Sequence, residues 1–148
     1  MRVALIACTK SKTYESYIPA KKLYWASNLF RLSYTYAKEV WRADKIYILS
    51  AKYGLIRDHE VVSYYEMTLT DLSKEKQKEW GVRILKQLRE MDSQFLVLAG
   101  LNYQRPIDFA GLRAIFPGAG MSIGSKMSWL KQEIQRHRHP SLRSLSDG

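Results

Sequence analysis

The sequence predicts an α/β protein, a three-layer sandwich around a central, mainly parallel sheet of about four strands. Short apolar runs at residues 3–8, 46–51 and 95–99 lack the alternation of half-exposed strands, as expected where helices cover both faces of a sheet. Segments with helical spacing lie between these runs, which implies parallel strands joined by right-handed crossovers. The 148 residues suit one domain with a sizeable core.

The first run, VALIAC, ends at the polar cluster Thr9, Lys10, Ser11 and Lys12. Leu23, Ala26, Phe30, Ala37 and Trp41 recur at helical spacing before the second strand. Residues 52–66 then read as one long loop, a length that usually marks a binding or catalytic connection. Trp80, Ile84, Leu85, Leu88 and Met91 give a helix before the third strand, Pro106 marks a helix start after it, and residues 112–116 give a weaker fourth strand. Ile123, Met127, Leu130 and Ile134 step by four, three and four, one apolar stripe on a closing helix. The domain is expected to span residues 1–136, with 137–148 as a basic flexible tail containing Pro140.

Composition narrows the function. Lysine and arginine number 24 against 14 acidic residues, a net charge of +10 that favours polyanions such as nucleic acid or phosphorylated ligands. Hydrophobic residues at 46% and charged residues at 26% exclude a disordered or fibrous chain. No apolar run approaches the roughly 20 residues of a membrane helix, and the opening is too short in apolar residues for a signal peptide, so a cytoplasmic location is expected. The single cysteine, Cys8, excludes an intramolecular disulfide and reads as a packed strand residue rather than a nucleophile. No metal motif is present, and neither a metal nor a cofactor is expected.

In such sheets ligands gather beyond the carboxyl ends of the strands, which selects four segments. Thr9, Lys10, Ser11 and Lys12 supply hydroxyls and cations suited to phosphate or a base carbonyl, or else form a solvated turn. The long segment carries Lys52, Tyr53, Asp58, His59, Tyr65 and Glu66. Asp58 and Glu66 are candidate acid, base or charge-stabilising groups, against a salt bridge or turn cap; Tyr53 and Tyr65 suit base stacking, against core packing. His59 reads as an exposed turn residue. Gly100, Tyr103 and Arg105 offer close backbone approach, stacking and phosphate contact, or a plain turn. Gly118, Gly120 and Gly124 open the last helix, where free amides suit an anion, though the spacing fits neither the dinucleotide nor the P-loop pattern.

Taken together, IACTKSK, LYWASNLFRLSYTYA, YILSAKYGLI and PGAGMSIGSKMSWL resemble a family of small, largely uncharacterised bacterial and phage proteins. That family has a CSKSK-type opening, an LSAKHGL-type segment, a YD-TL segment and a glycine-rich turn before a final helix. Here Thr9 replaces the usual serine, Tyr53 the frequent histidine and Glu66 the frequent aspartate. The opening is also similar to a domain accompanying archaeosine-synthesis enzymes, whose fold resembles uracil-DNA glycosylase. The Gly-Gln-Asp water-activating motif and the His-Pro-Ser segment of the well-known glycosylases are absent.

The resemblance implies a DNA glycosylase-like enzyme cleaving the N-glycosidic bond of a modified base, with DNA, such as modified phage DNA, as partner. In that reading Asp58 or Glu66 stabilises the sugar charge or orients water, while Lys10, Lys12 or Lys52 stabilises the departing base or attacks the sugar. The other reading is a protein that binds a nucleotide or nucleotide-derived small ligand at the same strand ends.

Overall fold

The computed structural model describes residues 1–7, 12 and 16–140. Along the chain come β1 (Arg2–Ala7), β2 (Ile18–Pro19), α1 (Ala20–Leu23), and α2 (Asn28–Thr35), which runs into a π-helical turn, Tyr36–Val40. Next are β3 (Lys45–Ser50), β4 (Gly54–Arg57), β5 (Val61–Val62), a 3₁₀ turn (Leu69–Asp71) and α3 (Lys74–Met91). The rest comprises β6 (Gln94–Leu98), α4 (Leu101–Gln104), β7 (Arg113–Ile115) and α5 (Ile123–Arg138).

The main sheet has the order β4-β3-β1-β6-β7, and β2 pairs with β5 in a separate ribbon. β1 runs parallel to β3 and β6, and β6 parallel to β7, whereas β4 returns antiparallel along β3. The sheet is therefore mixed and five-stranded, which corrects the expectation of a mainly parallel sheet of about four strands. The added strand follows from a tight reversal: Ser50 faces Gly54, and Gly54 takes a φ of +76° that L side chains rarely adopt. Four residues of β4 were too few to show a period.

Each strand feeds two cores because alternate side chains leave opposite faces. Ala4, Ile6, Ile48, Leu96 and Leu98 pack with Leu23, Tyr24, Phe30 and Tyr34 on the α1–α2 side. Val3, Leu5, Leu49, Phe95 and Val97 pack with Trp80, Ile84 and Leu88 of α3 on the other. Complete burial of β1 residues 3–5 explains their unbroken apolar run. Ser27, Ser73 and Ser122 each accept a hydrogen bond from a backbone N–H three residues on, capping α2, α3 and α5.

Two further expectations change. The segment 52–66 is not a structureless loop, since β4 and β5 lie within it. Pro106 starts no helix; α4 ends at Gln104, just before it. Helix α5 continues past Arg136 to Arg138, whose guanidinium binds both oxygens of Glu39 at 2.8 and 2.9 Å. Residues 141–148 of the expected tail lie outside the described residues. Among the described residues no helix is long and apolar enough to cross a membrane.

Candidate functional site

The carboxyl ends of β1 and β6 open into a cleft of about 690 Å³. Its walls are apolar, with Ile6, Leu29, Phe30, Leu69 and Leu98 among them. Ser27, Thr68 and Asn102 add neutral hydrogen-bonding groups, and Lys12 and Lys126 add two cations. No carboxylate is among its described lining residues. A smaller hollow of about 300 Å³ shares Lys12 and Thr68 with the cleft and is lined by Tyr64, Glu66 and Asp71. Glu66 accepts a hydrogen bond from the Tyr64 hydroxyl at 2.7 Å, while Asp71 accepts from the Thr68 backbone N–H at 2.8 Å. The second contact makes Asp71 a cap of its own turn and leaves Glu66 as the carboxylate better placed for a ligand.

A buried hydroxyl cluster sits under this junction. Ser50, at the carboxyl end of β3, lies 2.8 Å from the Tyr65 hydroxyl and accepts the Tyr53 N–H at 3.1 Å, while its carbonyl accepts Trp80 Nε1–H at 3.0 Å. The Tyr65 hydroxyl also bonds Tyr24 at 2.5 Å. Tyr65 is only 5% exposed, so it packs in the core and offers no face to a base. Its ring instead supports cations, with Lys12 Nζ 4.6 Å and Lys52 Nζ 5.9 Å from the centroid. Tyr53 meets Tyr65 edge-on at 5.4 Å and donates its hydroxyl to the Ser63 carbonyl at 3.1 Å, which makes it a wall of the cluster rather than a stacking platform.

Asp58 lies elsewhere. It follows β4 and donates its N–H to Ile46 near the start of β3, at the amino ends of the parallel strands. Its carboxylate accepts the Tyr34 hydroxyl at 2.8 Å and lies 3.4 Å from Nδ1 of the exposed His59. Counting residues from the end of β3 sets Asp58 in the cleft, but β4 carries the chain back down along β3. Burial first, and the Asp58 carboxylate second, push the Tyr34 phenol well above its ordinary value. Lys21 and Lys38 also face that ring, at 5.0 and 5.7 Å.

A raised phenol favours the folded state fully below the ordinary phenol range and loses that contribution progressively as pH climbs from that range toward the raised value. Denaturant titrations at about pH 9 and about pH 11 should therefore show stability falling, and falling less in Tyr34→Phe. An equal fall in both proteins would assign the loss to other groups.

The remaining predicted residues divide. Cys8, Thr9, Lys10 and Ser11 lie outside the described residues. Tyr103 lines the cleft and sets its ring edge-on to Trp80 at 5.8 Å, and Gly100 lies beside it on the wall. Arg105, the cap of α4, is exposed and is not among the residues lining the cleft. Gly118 and Gly120 take φ values of +78° and +82°, and the Lys126 stem runs beside Gly118; Lys126 lines the cleft, whereas Gly118, Gly120 and Gly124 are not among its lining residues. Gly124 is helical with open space where a Cβ would sit, so neither conformation nor packing demands glycine there.

Sequence reasoning missed Ser27, Ser50, Thr68, Asn102 and Lys126. Only Lys126 carried a signal, as the first cation after the glycine turn and Ser122 cap.

Fold and cleft together define an α/β protein with a cleft at the carboxyl ends of its parallel strands, the place where ligands gather in such sheets. The chain belongs to a family of unknown function, DUF6884, whose profile matches residues 3–132. No curated protein matches it.

Proposed function

We propose that the protein cleaves the N-glycosidic bond of a modified nucleobase in DNA, with the base in the larger cleft and the sugar against the smaller hollow. The observation that carries this is the sharing of Lys12 and Thr68 between two hollows of opposite character. Bond breaking develops positive charge on the sugar and negative charge on the base. Carboxylates lie on the sugar side of the junction, where they stabilise the first. Among the described residues, cations and no carboxylates line the base side, where they stabilise the second.

Four parallel strands with helices on both faces support the likeness to the uracil-DNA glycosylase fold. The net charge of +10 supports a DNA partner. In this reading Glu66 is the catalytic carboxylate, Lys12 and Lys126 hold the departing base, Tyr103 stacks on it and Asn102 reads its edge.

Incubation with several naturally modified phage DNAs, followed by mass spectrometry, should show free base in the same amount as abasic sites and any strand breaks formed from them taken together. A second reading has its own support, since a cleft of about 690 Å³ bearing two lysines also suits a free nucleotide. Salt-insensitive nucleotide binding with no base released from any DNA would establish that reading and end the first.

A further inference from the structure

We propose that Lys12 also gives the protein abasic-site lyase activity, forming an imine with the sugar once the base has left. The inference rests on the glycosidic reading for its placement of the sugar. Lys12 is the described cation that lines both hollows, so its amine stands where the sugar C1′ meets the base. A ring supports it: Nζ lies 4.6 Å from the centroid of Tyr65, which is held by Ser50 and Tyr24 through its hydroxyl and packed at right angles to Tyr53. An amine so held meets a bound electrophile at high effective concentration. Glu66 lines the same hollow, and Lys52 brings a second cation to the Tyr65 ring.

Loss of the base leaves a sugar whose open-chain form is an aldehyde at C1′. Lys12 gives its ammonium proton to solvent, and the Nζ lone pair adds to C1′. Water leaves to form the iminium. A C2′ proton passes to the Glu66 carboxylate, the C3′–O bond breaks, and the phosphate departs with the electron pair toward Lys52. Hydrolysis of the imine restores the amine and releases an unsaturated aldehyde at the new strand end. No oxidant or reductant is consumed.

The test uses a duplex oligonucleotide with one abasic site and sodium cyanoborohydride, which reduces an imine to a stable amine. A covalent protein–DNA adduct is expected, with the modified peptide carrying Lys12. Lys12→Arg keeps a cation over the ring but has no amine to form the imine, so it should bind the duplex and lose the adduct at least about tenfold. Lys86→Gln, on α3 across the sheet, should keep it. Absence of an adduct with the unaltered protein, or an undiminished adduct in Lys12→Arg, overturns the proposal. Because this substrate already lacks its base, failure here leaves base release standing, and failure of base release leaves this adduct readable.

Discussion

Glu66→Gln should slow single-turnover base release by about a hundredfold or more while DNA binding stays near normal, and Asp58→Asn should leave that rate unchanged. The first substitution keeps size and hydrogen bonding to Tyr64 but removes one of the two carboxylates lining the smaller hollow, the one that the proposed reading sets against the sugar. A neutral amide still fills the hollow, so affinity holds while stabilisation of the sugar cation is lost. Asp58 is at the other end of the sheet, with Tyr34 and His59. Its replacement by Asn should cost about 1 kcal/mol of stability by weakening a hydrogen bond to a charged acceptor. Rates come from single-turnover assays at saturating protein, and stability from urea midpoints. A slow Asp58→Asn beside a fast Glu66→Gln would place the chemistry at the wrong end of the sheet for the cleft, and the glycosidic reading would lose its catalytic carboxylate.

Much of the fold was legible because burial writes itself into composition. The runs at 3–8, 46–51 and 95–99 correspond to β1, β3 and β6 within a residue at each end, since strands buried on both faces must be apolar throughout. The stripe on the last helix was read in part: Leu130 and Ile134 are buried against the fold, but Ile123 is 65% exposed at the cleft. Periodicity finds a face of a helix, yet it does not tell a core from a binding surface. β4 and β5 escaped because two to four residues carry no period, and β5 pairs with β2, a partner distant in sequence.

The site was harder to read for the same reason. Strand-end reasoning pointed to Lys12, Gly100 and Tyr103, which follow parallel strands and line the cleft, whereas the glycine turn follows β7 and meets the cleft only through Lys126. It failed at Asp58 because one antiparallel strand reverses the direction in which residues are counted. Tyr65 stood between two readings, base stacking and core packing. A tyrosine in a polar stretch looks available for stacking, and only the three-dimensional contacts with Ser50, Tyr24 and Tyr53 show that its hydroxyl and ring are already committed. Ser50 gave no signal at all, being one serine at the end of an apolar run.

Gly81→Ala should destabilise the protein by about 3 kcal/mol, against the usual sign of such a change in a helix. Glycine inside a helix is about 1 kcal/mol less favourable than alanine, so α3 taken alone would gain. The tertiary contact reverses this. A Cβ on Gly81 would fall inside the van der Waals envelope of the Pro106 carbonyl, and backbone atoms there have no side-chain rotamer by which to yield. Either α3 or the segment after α4 must move. Movement of α3 disturbs Trp80, whose Nε1–H binds the Ser50 carbonyl, and movement of the segment disturbs Ile107, only 4% exposed in the same core. Gly124→Ala supplies the contrast, because the added methyl meets open space in the first turn of α5 and should be neutral or stabilising by roughly 0.5 kcal/mol. Urea midpoints at constant m-value measure both. The loss at Gly81 should reach the cleft as well, since Tyr103 lies on α4 just before Pro106 and rests on Trp80, so weaker DNA or nucleotide binding should accompany it. A Gly81→Ala protein as stable as the original would mean that α3 and Pro106 stand further apart than this packing requires, and the coupling from α3 to Tyr103 would fall with it.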